Sequence, residues 1–236
     1  MIPRVIVALD VGSESRALAL VDAVGEYCDF YKVGSELFTA VGPPIVEKLT
    51  ARGKDVFLDL KFHDIPATVR SAARSAASLG ARLLTVHASG GRHMIEAAVE
   101  GAGSYCGVLG VTVLTSFGSE ELAEAWGRPI ADVTMEAKRL AYVARSAGAR
   151  GIVCAGTEVR AVRSDFGSAL EILVPGLRMT GDASHDQARV VTPREAAESG
   201  ANYLVLGRAI TGSPDISAAI RQVLTSLESQ EGPPGV

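Results

Sequence analysis

Short β-branched segments alternate with longer Ala-rich segments along nearly the whole chain, and this alternation constrains the fold more than any other feature. The short segments are almost continuously apolar, as the strands of a parallel sheet are when both of its faces are buried. The eight strands predicted in this way cover residues 5–10, 30–34, 56–61, 83–87, 107–114, 151–155, 171–175 and 203–207.

The segments between these strands have the apolar spacing of helices, and several begin at a capping residue or a proline. The predicted helices cover residues 13–24, 44–51, 67–79, 92–100, 135–147, 158–165, 194–199 and 216–227. Eight strand–helix units without a linker predict a single-domain (β/α)8 TIM barrel over residues 1–228. The alternative is an open doubly wound sheet, which usually has a GxGxxG loop where this chain reads ALDVGSES. Residues 229–236, SQEGPPGV, predict a flexible tail.

Composition narrows the class of protein. The chain has 236 residues, of which 47% are hydrophobic and 21% charged, so a large core is expected and disorder is not. The net charge of −4 argues against a nucleic-acid protein that relies on a basic surface. No apolar stretch is long enough to predict a membrane span, and no signal peptide is apparent. Three widely spaced cysteines in apolar segments, Cys28, Cys106 and Cys154, predict buried free thiols in a reducing cytoplasm.

Polar residues follow most of the predicted strands at their carboxyl ends, which is where barrels of this class place their sites. Because the strands of a barrel are parallel, these side chains are expected to converge on one rim. The strand-end residues are Asp10, Lys32, Asp59, Lys61, His87, Thr115, Ser116, Pro175, Arg178, Gly207 and Arg208.

Two acids and two lysines form the most informative part of this rim. Asp59 and Lys61 are two apart on a strand, so both side chains are expected to point into the barrel mouth, where Lys32 of the neighbouring strand reaches Asp59. The chain has only five lysines, and two of them fall at these strand ends. A buried ion pair that closes the barrel is the alternative interpretation, although a simple pair needs neither a second lysine nor a second acid.

Asp64 lies beyond this strand, just before the helix that Pro66 begins. It is expected either to cap that helix or to project outward to a neighbouring subunit. On the far side of the rim, the loops after strands seven and eight supply Arg178, Gln187 and the Gly207–Arg208 pair. This side predicts a phosphate site, since a glycine admits a backbone N–H and arginine adds charge-assisted contacts. Surface arginines are the alternative there.

The remaining candidates are weaker. His63 lies inside the charged segment without a clear direction, and His87 is expected either to be a hydrogen-bonded structural histidine or to line the floor of the site. The segment around Trp126 carries no motif. No cluster has metal-ligand spacing and no dinucleotide fingerprint is present, so neither a metal nor a redox cofactor is predicted.

Taken in order, these residues resemble the orotidine 5′-phosphate decarboxylase family over nearly the whole chain. The D-x-K-x-x-D-I-P block is specific to this group of barrels, and the full set of matching segments in this order is more specific still. The matching segments are VALD at Asp10, YKVG at Lys32, DLKFHDIPAT from Asp59 to Thr68, VTVLTS at Thr115 and Ser116, VPGLR at Arg178, DQARVVTP at Gln187 and LGRAIT at Gly207 and Arg208.

The resemblance implies a homodimeric enzyme that decarboxylates orotidine 5′-monophosphate to UMP, the last step of de novo pyrimidine synthesis, without metal or cofactor. It implies Lys32, Asp59, Lys61 and Asp64 as the catalytic array, with Lys61 as proton donor to C6 and Asp64 reaching the partner's site. Asp10 and Lys32 would bind the ribose. The other implied substrate-binding residues are Ile65, Thr68, Thr115, Ser116, Pro175, Arg178, Gln187, Gly207 and Arg208.

Two other functions are compatible with a similar barrel. Sugar-phosphate enzymes such as 3-keto-gulonate 6-phosphate decarboxylase and hexulose-phosphate synthase share D-x-K-x-x-D, but they use Mg²⁺ and have an acid where this chain has Lys32. A catalytically inactive phosphate-binding scaffold is the second alternative. Such a scaffold is expected to have lost a member of the Asp/Lys array, and this chain has all of them.

Overall fold

Eight parallel strands close into one barrel in chain order in the computed structural model, which describes residues 2–179 and 191–228. The predicted (β/α)8 barrel is confirmed, and the open sheet is wrong because the first strand pairs with both the second and the eighth. The strands are β1 (Arg4–Ala8), β2 (Phe30–Gly34), β3 (Asp55–Phe62), β4 (Leu83–His87), β5 (Gly107–Val111), β6 (Gly151–Val153), β7 (Glu171–Val174) and β8 (Tyr203–Leu206).

Local signals in the sequence explain where several helices begin. The side chains of Ser13, Asp132 and Thr192 each accept a hydrogen bond from a backbone N–H of the first turn. Proline occupies an early position of three helices, where its missing N–H has no cost. The helices are α1 (Glu14–Val24), α2 (Ser35–Val41), α3 (Pro44–Ala51), α4 (Pro66–Ser78), α5 (Arg92–Ala102), α6 (Ser119–Trp126), α7 (Val133–Ser146), α8 (Val159–Phe166), α9 (Pro193–Glu198), α10 (Arg208–Thr211) and α11 (Ile216–Glu228).

The main differences from the predicted elements lie near the carboxyl ends of the strands. β1 stops at Ala8 and β5 at Val111, whereas the apolar runs that predicted them continue further. The run after β5 stays apolar because Val113 is buried in the loop that follows the strand. Helices α2, α6 and α10 were not predicted, since each is short and follows a glycine N-cap, with neither a side chain at the N-cap nor an early proline to mark its start.

The core has two layers. Side chains that point into the barrel form an apolar inner layer, which includes Phe30, Phe57 and Leu173. The opposite faces of the strands pack against the surrounding helices and form a larger outer layer. Among residues 2–179 and 191–228, no helix has both the length and the apolar character that a membrane crossing requires.

Ion pairs and rings close the end of the barrel where the strands begin. Arg4 of β1 contacts Asp29 at 2.9 Å and Asp55 at 3.0 Å, and its guanidinium lies over the ring of Phe30. Phe30 meets Tyr203 of β8 edge to face. These contacts join four neighbouring strands, β8, β1, β2 and β3, at the amino-terminal end of the barrel, opposite the rim that the sequence indicates as the site.

Cys28, Cys106 and Cys154 are all buried and form no disulfide, as predicted. Burial raises the pKa of the Cys106 thiol to about 12, so the thiol is neutral at physiological pH. The predicted tail, residues 229–236, lies outside the described residues, and the domain boundary at residue 228 stays a prediction.

Candidate active site

A cavity of about 510 Å³ opens at the carboxyl ends of the strands, on the predicted rim. Its floor consists of apolar side chains of the inner layer, among them Phe57, Val153 and Leu173. The sequence-predicted residues that line it are Asp10, Lys32, Asp59, Lys61, Thr115, Pro175, Arg178, Gly207 and Arg208.

Four charged side chains form a continuous row along one wall of this cavity. Lys32 Nζ lies 2.6 Å from Asp10 Oδ1 and 3.8 Å from Asp59 Oδ2, and Lys61 Nζ lies 2.8 Å from the same Asp59 oxygen. The side chains of Lys32 and Asp59 are each only 12% exposed, so the centre of the row is largely removed from water. The row carries alternating charges with no net charge, which makes the burial of these ions tolerable.

The backbone at Lys61 differs from the regular strand that the sequence predicted. Among the described residues other than glycine, Lys61 alone has a left-handed backbone, with φ of 50°. The β3–β4 pairing also shifts its register between Leu58 and Phe62. Asp59 and Lys61 do face the same cavity, but simple alternation along a strand is the wrong explanation for Lys61; an irregularity in the strand directs it.

Thr85 of β4 is a contact of the charged row that the sequence analysis missed. It is completely buried, and its hydroxyl donates to Asp59 Oδ1 at 2.9 Å. The backbone N–H of Lys61 donates to the same hydroxyl at 2.9 Å. Threonine is common in strands, so the residue type alone did not indicate a functional role. The signal that could have indicated one is that Thr85 is a polar residue among the apolar Leu83, Leu84 and Val86.

Four of the sequence-predicted residues do not line the cavity of their own chain: Asp64, Ile65, Thr68 and Ser116. All four are exposed. Asp64 Oδ1 accepts a hydrogen bond from the backbone N–H of Ile65 at 2.6 Å, and Ile65 itself occupies the N-cap of α4. The helix-capping interpretation of Asp64 is therefore wrong, since its carboxylate bonds to the cap residue rather than to an N–H group inside the helix.

The opposite wall carries the residues expected at a phosphate. Arg178 and Arg208 line it together with Gly207, and a Cβ built on Gly207 would meet no atom closer than 3.9 Å. The space in front of this glycine is therefore open to a ligand. Gln187, the remaining residue predicted here, lies outside the described residues. Glu36 of α2 and Thr211 of α10 also line the cavity and were not predicted, because both lie on helices that the sequence did not reveal.

Two histidines lie beside the charged row. The rings of His63 and His87 are 5.4 Å apart between centroids. Burial, with smaller contributions from His63 and the Lys61 ammonium, lowers the pKa of His87 below its ordinary value. In the described part of the chain, no three His, Cys, Asp or Glu side chains converge as metal ligands would.

Comparison with known proteins identifies this arrangement. A model described as the orotidine 5′-phosphate decarboxylase / HUMPS family matches residues 3–223. The chain belongs to this family. Orotidine 5′-phosphate decarboxylase of Laribacter hongkongensis is 46% identical over 96% of this chain and 93% of its own length. The enzyme of the same name from Anaeromyxobacter sp. (strain K) is 48% identical over 95% of this chain and 98% of its own.

A solved structure gives the same result for the fold. The crystal structure of orotidine 5′-phosphate decarboxylase from Lactobacillus acidophilus superposes with a TM-score of 0.86 at 34% identity, covering 96% of this chain and 100% of that one. These comparisons confirm the decarboxylase family and the carboxy-lyase class that the motifs indicated, and they extend the match well beyond the motifs themselves.

Proposed function

We propose that the protein decarboxylates orotidine 5′-monophosphate to UMP, the last step of de novo UMP synthesis, without a metal or cofactor. The observation that carries the proposal is the row Asp10–Lys32–Asp59–Lys61 in a cavity whose far wall holds Arg178. Relatives named for this reaction, at 46% and 48% identity, support the same substrate. The buried thiols fit the reducing cytoplasm, where we place the reaction.

The charged row suits a reaction that creates a localised carbanion. When the bond from C6 to the carboxylate breaks, its electron pair stays on C6 in the plane of the ring, where the π system cannot accept it. The Lys61 ammonium stabilises this charge and then transfers a proton to C6, leaving a neutral amine that water reprotonates. Asp59, 2.8 Å from Lys61 Nζ, holds the ammonium in place beside the reacting carbon.

The remaining wall positions the substrate. Asp10 and Lys32 bind the ribose hydroxyls, while the apolar floor and Thr115 contact the pyrimidine, with Ser116 and Pro175 nearby. Arg178, Gln187, Gly207 and Arg208 take the phosphate. Binding energy gained at the phosphate, remote from C6, orients the ring against the charged row.

The rival sugar-phosphate chemistry needs a divalent cation, and the charged row disfavours one. Asp59 Oδ2 already has Lys61 Nζ at 2.8 Å and Lys32 Nζ at 3.8 Å, so a cation approaching that oxygen meets two positive charges. Both acids of the row, Asp10 and Asp59, are engaged by ammonium groups rather than directed together at an open position.

One assay tests the reaction. Loss of orotidine 5′-monophosphate is followed by absorbance, with and without EDTA, and turnover is expected to resist chelation. Activity that EDTA removes and Mg²⁺ restores would move the chain to the sugar-phosphate reactions. Lys61→Ala is expected to lose nearly all turnover while still binding UMP, whereas Arg208→Ala is expected chiefly to weaken binding of UMP relative to uridine.

The second half of the proposal is a homodimer. In this dimer the cavity of each protomer is completed by Asp64, Ile65 and Thr68 of its partner. All three are exposed next to the rim but outside their own cavity, and the apolar Ile65 is 66% exposed. A two-fold interface that covers this segment would bring Asp64 of one protomer to the row of the other.

Mixed dimers test this shared site. Lys61→Ala and Asp64→Ala proteins are each expected to be nearly inactive. After they are refolded together, a mixed dimer contains one intact site and one site with both lesions. Because half of randomly paired dimers are mixed, roughly a quarter of all sites should recover. Mixed dimers that are demonstrably present but inactive would mean that Asp64 acts within its own chain.

A further inference from the structure

The hydroxyl of Thr85 joins the side chain of one charged residue to the backbone of another. It donates to Asp59 Oδ1 at 2.9 Å and accepts from the Lys61 N–H at 2.9 Å. Thr85 is completely buried and does not line the cavity, so it cannot touch a ligand there. Its single proton and an acceptor site are both used on the charged row.

These two hydrogen bonds determine how the carboxylate of Asp59 is turned. With Oδ1 occupied by Thr85, the other oxygen, Oδ2, is the one that faces Lys32 and Lys61. A carboxylate has a soft terminal torsion, so an anchor on one oxygen is what keeps the second aimed at the ammonium groups.

The bond to Lys61 acts on the strained point of the strand. A lysine with φ of 50° is in a sparsely populated conformation, which persists only where the surroundings hold it. The Lys61 N–H bonds to the Thr85 hydroxyl at the place where the β3–β4 register shifts. Thr85 therefore supplies the acceptor that the irregular strand needs.

We propose that Thr85 is a positioning residue for the decarboxylation, holding the Asp59 carboxylate and the Lys61 backbone in the geometry that places the ammonium at C6. The inference rests on the proposed function for its kinetic readout. It assigns Thr85 no contact with substrate; its effect on turnover passes through Asp59 and Lys61.

The test compares Thr85→Val, which removes the hydroxyl at nearly constant volume, with Thr85→Ser, which retains it. Thr112→Val is the matched control, because Thr112 is also buried and its hydroxyl donates to the Val153 carbonyl, away from the row. Thr85→Val is expected to lower kcat by about 10- to 100-fold, with UMP affinity within about threefold of the parent's. Thr85→Ser should recover most of kcat.

Unchanged kcat in Thr85→Val would overturn the proposal. A similar loss of kcat in Thr112→Val would also overturn it, because it would show that losing any buried hydroxyl lowers turnover. If Thr85→Val does not fold, Thr85→Cys, whose thiol is a weak hydrogen-bonding group, takes its place with the same expected result.

Hydrogen exchange at the Lys61 amide provides a readout independent of activity. The amide should exchange at least about tenfold faster in Thr85→Val than in the parent, and at the parent's rate in Thr112→Val. Should the parent fail to decarboxylate the nucleotide, the proposed function is wrong, and the exchange data still decide whether Thr85 holds Lys61. Unchanged exchange in Thr85→Val would refute the positioning role in either case.

Discussion

Replacing Lys61 by glycine and by alanine isolates the backbone strain at the end of the charged row. Both substitutions remove the ammonium and its 2.8 Å ion pair with Asp59, so these losses cancel between the two variants. A left-handed conformation costs an L-residue about 1–2 kcal/mol, and glycine avoids this cost. Glycine instead loses about 0.5–1 kcal/mol more backbone entropy on folding than alanine does. The glycine variant is therefore expected to be more stable by about 0.75 kcal/mol, the difference between the middles of these two ranges.

Thermal and urea unfolding measure this difference. For a chain of this length the expected advantage of Lys61→Gly corresponds to about 1–4 °C in Tm. Leu60, the preceding residue on β3, has no left-handed backbone and is the matched position. There the order should reverse, with Leu60→Ala more stable than Leu60→Gly by about 0.5–1 kcal/mol. Both Lys61 variants should have almost no turnover.

The order of stability of the glycine and alanine variants, rather than the size of the difference, tests whether Lys61 has a left-handed backbone. If Lys61→Ala equals or exceeds Lys61→Gly in stability while the Leu60 pair behaves as expected, then Lys61 is not left-handed in solution. The hydrogen bond from its amide to Thr85 would then need another explanation, because that bond depends on the irregular backbone.

Two further perturbations probe the same wall. In Gly34→Ala the added Cβ would lie 2.7 Å from Lys32 Nζ and 3.0 Å from Asp10 Oδ1, so the Lys32 ammonium must shift. Because Lys32 and Asp10 bind the ribose in the proposed function, KM should rise about tenfold with little change in Tm, and an unchanged KM would contradict this. Folding lowers the pKa of His87, so as the pH falls below about 7 the unfolded chain binds a proton at this residue before the folded chain does. The free energy of unfolding therefore decreases from about pH 7 toward the pKa of His87 in the folded chain. His87→Gln should flatten that decrease in urea unfolding between pH 7.5 and 5.5, and an identical slope would exclude His87 as its source.

The barrel and the charged row could be predicted from the sequence because each produces a local sequence pattern. Continuous apolar runs indicate buried parallel strands, and Asp59 and Lys61 are conspicuous because charges are rare in such runs. Thr85 left no comparable trace, since nothing local indicates which neighbouring strand its hydroxyl meets. The left-handed backbone of Lys61 was equally hidden, because it results from the β3–β4 register shift rather than from residue type.

Missing start signals and assembly account for other differences. Glu36 and Thr211 line the cavity from short helices whose N-caps are Gly34 and Gly207, so no capping side chain or proline marks where these helices begin. Asp64 was singled out correctly as a residue off the strand, and the structure places it outside its own cavity. A single chain carries no direct record of the surface that a second protomer covers, so its role stays a proposal.

The closed lower end of the barrel has a kinetic consequence. Arg4, Phe30 and Tyr203 join the strands there, and the buried inner layer lies between them and the cavity, so in the described part of the chain the cavity opens at the rim. Nucleotide, carbon dioxide and protons then share one passage. The side chain of Lys61 is 35% exposed at this rim, and a nucleotide bound as proposed would cover it. In the proposed mechanism Lys61 supplies the hydrogen that ends at C6. That hydrogen would then be taken from solvent before the substrate arrives, and a rapid change from H₂O to D₂O would reach the product only one turnover later.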